Sequence, residues 1–198
     1  QIVSLPIAAK ALGHSGFVLY AIAMAILGWL MLANIGVGPA LALRMAYSSG
    51  RSNRTEMTDL FKTALYVTTM IVIFICIMLT LSVSIFPIQE LIPQFDFNNP
   101  DINSVLFLVI LFFIIWSLLT LVEQAQVAEQ QRYNLELASV FGSLISAIAV
   151  ILVARSTPTT SAILLAVQGP ITLARVVNSL SFLRNNIDLL KGSFSNTL

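Results

Sequence analysis

The chain has 198 residues, 58% of them hydrophobic and only 10% charged, with a mean hydropathy of +0.92. Soluble domains devote about a quarter of their residues to charge, so this composition excludes an ordinary soluble domain and points to an integral membrane protein. A net charge of +1 leaves no basic field for nucleic acid, so no nucleic-acid partner is expected. The lone Cys76 allows no internal disulfide.

In chain order, Gln1 to Ala9 is uncharged but stops at Lys10, too short at ~1.5 Å per residue to cross a bilayer. It is expected to be a partial first helix missing its N-terminal part, and it does not resemble a cleavable signal peptide. The next run, Phe17 to Leu43, carries no charge and exceeds the ~20 residues of a straight span, so it must tilt, bend or continue past the surface. Further spans are expected at 63–87, 102–122, 137–154 and 159–183, with antiparallel neighbours and short loops. Long unbroken apolar runs exclude a β-barrel, whose strands alternate apolar and polar residues. The expected fold is all-α, a polytopic membrane helix bundle of about six spans forming a single domain over 1–198.

Orientation follows from the basic residues. Lys10 and Arg155 fall on one side of the expected topology. Arg44, Arg51, Arg54, Lys62, Arg132, Arg175, Arg184 and Lys191 fall on the other. The positive-inside rule puts the second set, and the N-terminus, in the cytoplasm. The loop Ile85 to Asn103 suits the outside, because it holds Pro87, Pro93 and Pro100 with Glu90, Asp96 and Asp101 but no base. Its prolines predict a non-helical cap or short interfacial turns.

Two segments share a pattern. NIGVGPALALR places Gly36, Gly38 and Pro39 before Arg44, and GPITLAR places Gly169 and Pro170 before Arg175. Proline lacks an N–H and its ring clashes with the carbonyl four residues back, so the second helix is expected to kink at Pro39, against Ile35. Each break is followed ~7.5 Å along the axis by a cation. Broken helices at matched depth point to a transporter's binding region. Arg44 and Arg175 are therefore candidates to line an inward-facing cavity and attract an anionic group such as a pyrophosphate. Each also fits the simpler role of snorkelling to lipid headgroups.

The stretch LTLVEQAQVAEQQRYN ends the fourth span. Glu123, Gln126 and Gln130 fall on one helical face, and with Gln124 they offer hydrogen bonds suited to sugar hydroxyls. Glu129, Arg132 and Glu136 are spaced to pair with one another, as a solvated helix end would. Glu123 lies nearest the apolar run, where a carboxylate is costly unless it meets water or a partner. It is the candidate for a proton- or cation-coupled group, with H+ or Na+ left open. No GxxxxGK[ST] phosphate loop, no Cys/His cluster and no nucleophilic triad occur. No enzyme activity, metal or cofactor is expected, and His14 in GHSG reads as a turn residue.

LGHSGFVLY, Leu12 to Tyr20, resembles the LGxxxFGxY signature of the oligosaccharide flippases, the polysaccharide-transporter branch of the multidrug/oligosaccharidyl-lipid/polysaccharide exporter superfamily, with Val18 where that family has its second glycine. NIGVGPALALR resembles the family's GxG…R element, and AEQQRYN followed by FGSLIS is similar to its connection between helices 4 and 5. The resemblance implies the N-terminal lobe of a two-lobed transporter with roughly twice as many helices. It implies flipping of undecaprenyl-pyrophosphate-linked repeat units across the bacterial inner membrane, for O-antigen or capsule assembly, by alternating access. The implied partners are the lipid-linked oligosaccharide, membrane lipids and polysaccharide polymerase machinery. Two rival readings stand beside it: a cation-coupled multidrug exporter of the same superfamily, and a non-transporting membrane scaffold.

Overall fold

The computed structural model describes residues 4–32, 36–85, 101–156 and 158–191. Over these residues the chain is helical: α1 Ser4–Leu32, α2 Val37–Gly50, α3 Arg54–Ile85, α4 Asp101–Ala128, α5 Arg132–Ala154, α6 Thr160–Asn185 and a last turn, α7 Asp188–Lys191. Helices α1, α3, α4, α5 and α6 are long and apolar enough to cross a membrane. The protein is a polytopic helical membrane bundle. Residues 86–100 of the expected external cap lie outside the described residues, while Asp101 to Asn103 already belong to α4.

The start of the chain differs from the expectation. Gly13 breaks α1 with φ 66° and ψ −170°, a left-handed conformation that glycine adopts at no steric cost. The bend is sharp enough that Leu5 faces the same cavity as Phe17, Tyr20 and Met24. The run 17–43 is not one helix kinked at Pro39. Instead α1 ends at Leu32 and α2 begins at Val37, which puts Pro39 in a first turn, where its missing N–H has no intrahelical partner to lose. Ile35, whose carbonyl was expected to meet the Pro39 ring, lies outside the described residues.

The register of the helices can be read from their contacts. Asp101 meets Ser161, Trp116 meets Thr172, Glu123 meets Arg175 and Gln126 meets Asn178, so α4 and α6 run parallel. Gly16 meets Thr160 and Met24 meets Gln168, so the later part of α1 runs with them. Helix α5 is antiparallel to α6, with Ser146 on Val167 and Gly142 against Ile171. Helix α4 is central. It buries Val105, Val109, Phe112, Phe113, Leu119 and Leu121, the pattern of a helix apolar all round. By contrast α5 exposes Val140, Phe141, Leu144 and Ile148, and α3 exposes Tyr66, Met70, Phe74 and Ile77.

Lipid is as apolar as leucine, so helices in a membrane hold together through close packing and polar contacts. Gly142 provides the tightest approach: a Cβ there would stand 2.9 Å from the Cα of Ile171 and 3.2 Å from the carbonyl oxygen of Pro170. Because α6 carries Pro170, one carbonyl a turn earlier loses its helical donor. Ser146 donates to the neighbouring Val167 carbonyl at 2.8 Å, as hydroxyls do where proline disturbs a membrane helix. Thus α6 continues through Gly169-Pro170, supported by α5. Gly142→Ala is expected to lower stability by about 1–3 kcal/mol through overpacking. Gly28→Ala, with nothing within 4 Å of the added carbon, should not destabilise. Thermal unfolding of the two variants in detergent checks the contrast.

Candidate functional site

Two apolar clusters divide the bundle. One gathers Leu19, Tyr20, Phe112, Phe113, Ile163 and Leu164, and the other Leu41, Met45, Met57, Phe61, Leu121 and Phe182. Between them α4 and α6 face each other through polar side chains. Arg175 donates from Nε to Oε1 of Glu123 at 2.5 Å and from Nη2 to Oε2 at 2.7 Å, the fork-to-fork geometry that makes such pairs strong and directional. Their side chains keep 15% and 10% exposure. The guanidinium also lies over the Trp116 ring, 5.0 Å from its centroid, where the face of the π-system attracts a cation.

Trp116 is itself fixed. Its indole N–H donates to Thr172 Oγ1 at 2.7 Å, and that hydroxyl donates to the Gln168 carbonyl at 2.7 Å. One turn toward the C-terminal ends, Asn178 donates to Gln126 Oε1 at 2.9 Å. The layer therefore locks α4 to α6 at successive turns.

Of the candidates read from sequence, Glu123, Arg175 and Gln126 come together here. Gln124 turns to α2, where its Cγ approaches Gly38, and Arg44 stands exposed on α2. The two arginines of the repeated pattern thus occupy unlike environments, one exposed and one paired. Glu129 does not pair with Arg132 as its spacing allowed; it accepts from Arg54 at 2.5 Å, while Arg132 pairs with Glu136 at 3.2 Å. Gln130 leaves the Glu123 and Gln126 face, because α4 ends at Ala128 and Gln130 has φ 61°. His14 is exposed beside the Gly13 break. Sequence reading missed Trp116, Gln168, Thr172 and Asn178. For Gln168 and Thr172 the signal was a polar stripe along α6, where Gln168, Thr172 and Arg175 recur at helical spacing in an apolar run.

Part of this chain is similar to a protein of Yersinia pseudotuberculosis described as "Putative O-antigen export protein": 32% identical over 113 residues, covering 57% of this chain and 25% of that protein. The match therefore spans about a quarter of the length of that curated relative. No family model matches the chain, and no solved structure matches it.

A cavity of about 490 Å³ adjoins the polar layer, lined by Phe17, Tyr20, Met24, Met31, Trp116 and Gln168 among others. Gln168 is 2% exposed and donates to Met24 Sδ at 3.1 Å, while its Oε1 is buried without a partner among the described residues. A buried unpaired acceptor costs about 1–3 kcal/mol. Arg175 uses two of its five N–H groups on Glu123 and adjoins this cavity only through Trp116, whose ring it covers. Among the described residues no cluster of three or more His, Cys, Asp or Glu could hold a metal.

Breaking a buried pair costs more than removing it, because it strands a charge. Arg175→Met is expected to lower stability by about 3 kcal/mol, and adding Glu123→Gln to it should recover part of that loss. Unfolding midpoints of the single and double variants in the same detergent give the comparison.

Proposed function

We propose that this chain forms part of a transporter that flips undecaprenyl-pyrophosphate-linked oligosaccharide units across the bacterial inner membrane for surface polysaccharide assembly. The observation that carries the reading is the fork-bound Arg175 lying over Trp116, whose ring walls an aromatic cavity. A pyrophosphate needs such a cation, aromatic and methionine walls suit the apolar part of an amphiphile, and amides suit sugar. The partial similarity to a protein named for O-antigen export agrees in substrate class. In this reading the basic ends of α2, α4 and α6 face the cytoplasm, and the chain is one lobe of two that open alternately to each side. Membrane lipids and the polysaccharide polymerase machinery are its partners, and Arg44 stays at the headgroup level.

One observation favours a second reading, a cation-coupled multidrug exporter: the cavity is largely apolar and aromatic, with Glu123 buried nearby. Against it, Glu123 is already engaged at both oxygens by Arg175.

The intact protein is expected to restore surface polysaccharide to a bacterium lacking its own repeat-unit flippase. Arg175→Lys keeps the charge but loses the fork and should lower restoration by more than about tenfold, at membrane levels equal to wild type. Arg44→Gln should leave it nearly unchanged. Dye efflux without polysaccharide restoration would transfer the assignment to the exporter.

A further inference from the structure

The largest cavity described, about 730 Å³, lies on the other side of α6 from Trp116 and Arg175, between the end of α4 and helices α5 and α6. It is long: the α6 residues in its wall run from Pro170 to Asn185, ~22 Å along the helix axis. Its two ends differ in chemistry. Toward the bundle centre the walls are Ile145, Pro170 and Leu173, of which Ile145 and Leu173 are exposed. Toward the helix ends the walls are Gln131, Asn134, Ser181 and Asn185, beside the paired Gln126 and Asn178.

None of the residues lining this cavity carries an ionisable side chain. The side chains of Gln131, Asn134, Ser181 and Asn185 make no protein hydrogen bond among the described residues. They present donors and acceptors in equal supply and no net charge. A phosphate or carboxylate would find no cation in the wall itself; Arg132, paired with Glu136 on the surface, and exposed Arg184 lie beside it and not in it. A sugar ring, with hydroxyls that both donate and accept, matches the set. The apolar inner end lies where a lipid chain attached to that ring would run.

We propose that this groove binds the sugar headgroup of a glycolipid from the membrane side, at a place separate from the Glu123 and Arg175 layer. The inference rests on the saccharide-transport reading only for the origin of the sugar; the groove's chemistry selects an uncharged hydroxylated headgroup by itself.

The test uses the intact protein in phosphatidylethanolamine nanodiscs, with lipid binding read by native mass spectrometry. The probes are monoglucosyl-diacylglycerol, phosphatidylglycerol of the same chains, and free glucose. Wild type is expected to bind the glucolipid in preference to phosphatidylglycerol. The double variant Ser181→Leu/Asn185→Leu, altered only at exposed positions, should weaken glucolipid binding by about tenfold, the scale of one or two neutral hydrogen bonds, while Arg175→Lys leaves it intact. Equal binding of the two lipids, unchanged binding in the double variant, or free glucose competing as well as the glucolipid would overturn the proposal. Glucolipid preference in a protein that fails to restore surface polysaccharide would uphold the groove and remove the transport reading alone.

Discussion

A charge inside a lipid bilayer must find its opposite, and in this protein Arg175 finds Glu123. The two come from helices that are distant in sequence, 52 residues apart, and the next polar contact, Asn178 with Gln126, repeats the same separation. Such matching leaves one parallel register for α4 and α6, because sliding either helix by a turn strands an arginine, a glutamate and two amides in hydrocarbon. At the opposite end the α4 residue Asp101 accepts from the backbone N–H of Ser161 at 3.0 Å, a carboxylate placed at the N-terminus of α6 where the helix dipole favours it. The register is thus held at both ends of the helix pair.

The rest of the bundle accommodates that pair. Helix α5 presents Gly142 where α6 needs room, and Ser146 donates to the Val167 carbonyl, next to the one that Pro170 leaves without its helical donor. The later part of α1 contributes Gly16 and Met24 along the other side. Polar contacts between membrane helices are modest singly, but they are directional and succeed one another along a single interface. That interface leaves two faces of α6 available, one toward an aromatic cavity and one toward an amide-lined groove. Ligand sites between helices of a bundle follow naturally from this arrangement.

Much of this was legible in the residues. Apolar runs pointed to a polytopic helical membrane bundle, since in a membrane protein length and hydropathy carry the signal directly. Glu123 was singled out because a carboxylate at the end of such a run is costly, and Arg175 because a cation follows the Gly169-Pro170 break. Their meeting was not legible: α4 and α6 are joined through α5, and nothing local records which turn of one faces which turn of the other. The GP repeat misled for a physical reason. Pro39 and Pro170 share a motif but not a position, since a proline in a first turn begins a helix and one in the interior disturbs it. Gly13 was read as a turn glycine in GHSG and proved to be a sharp break within α1, and Gln130 showed that a periodic face ends where the backbone turns left-handed. Trp116 escaped notice because an aromatic in an apolar helix looks like packing until its partners, Thr172 and Arg175, are known.

The central claim is that the Glu123 and Arg175 pair sets the register on which the fold and the candidate site depend. The most direct measurement exchanges the charges, comparing unfolding midpoints of Glu123→Arg, Arg175→Glu and the double exchange in lipid nanodiscs. Each single reversal leaves two like charges facing each other and should unfold well below wild type, while the double exchange, which restores an opposite pair, should recover most of the loss. A double variant no more stable than the worse single would show that the two side chains do not act on each other, and would contradict the account.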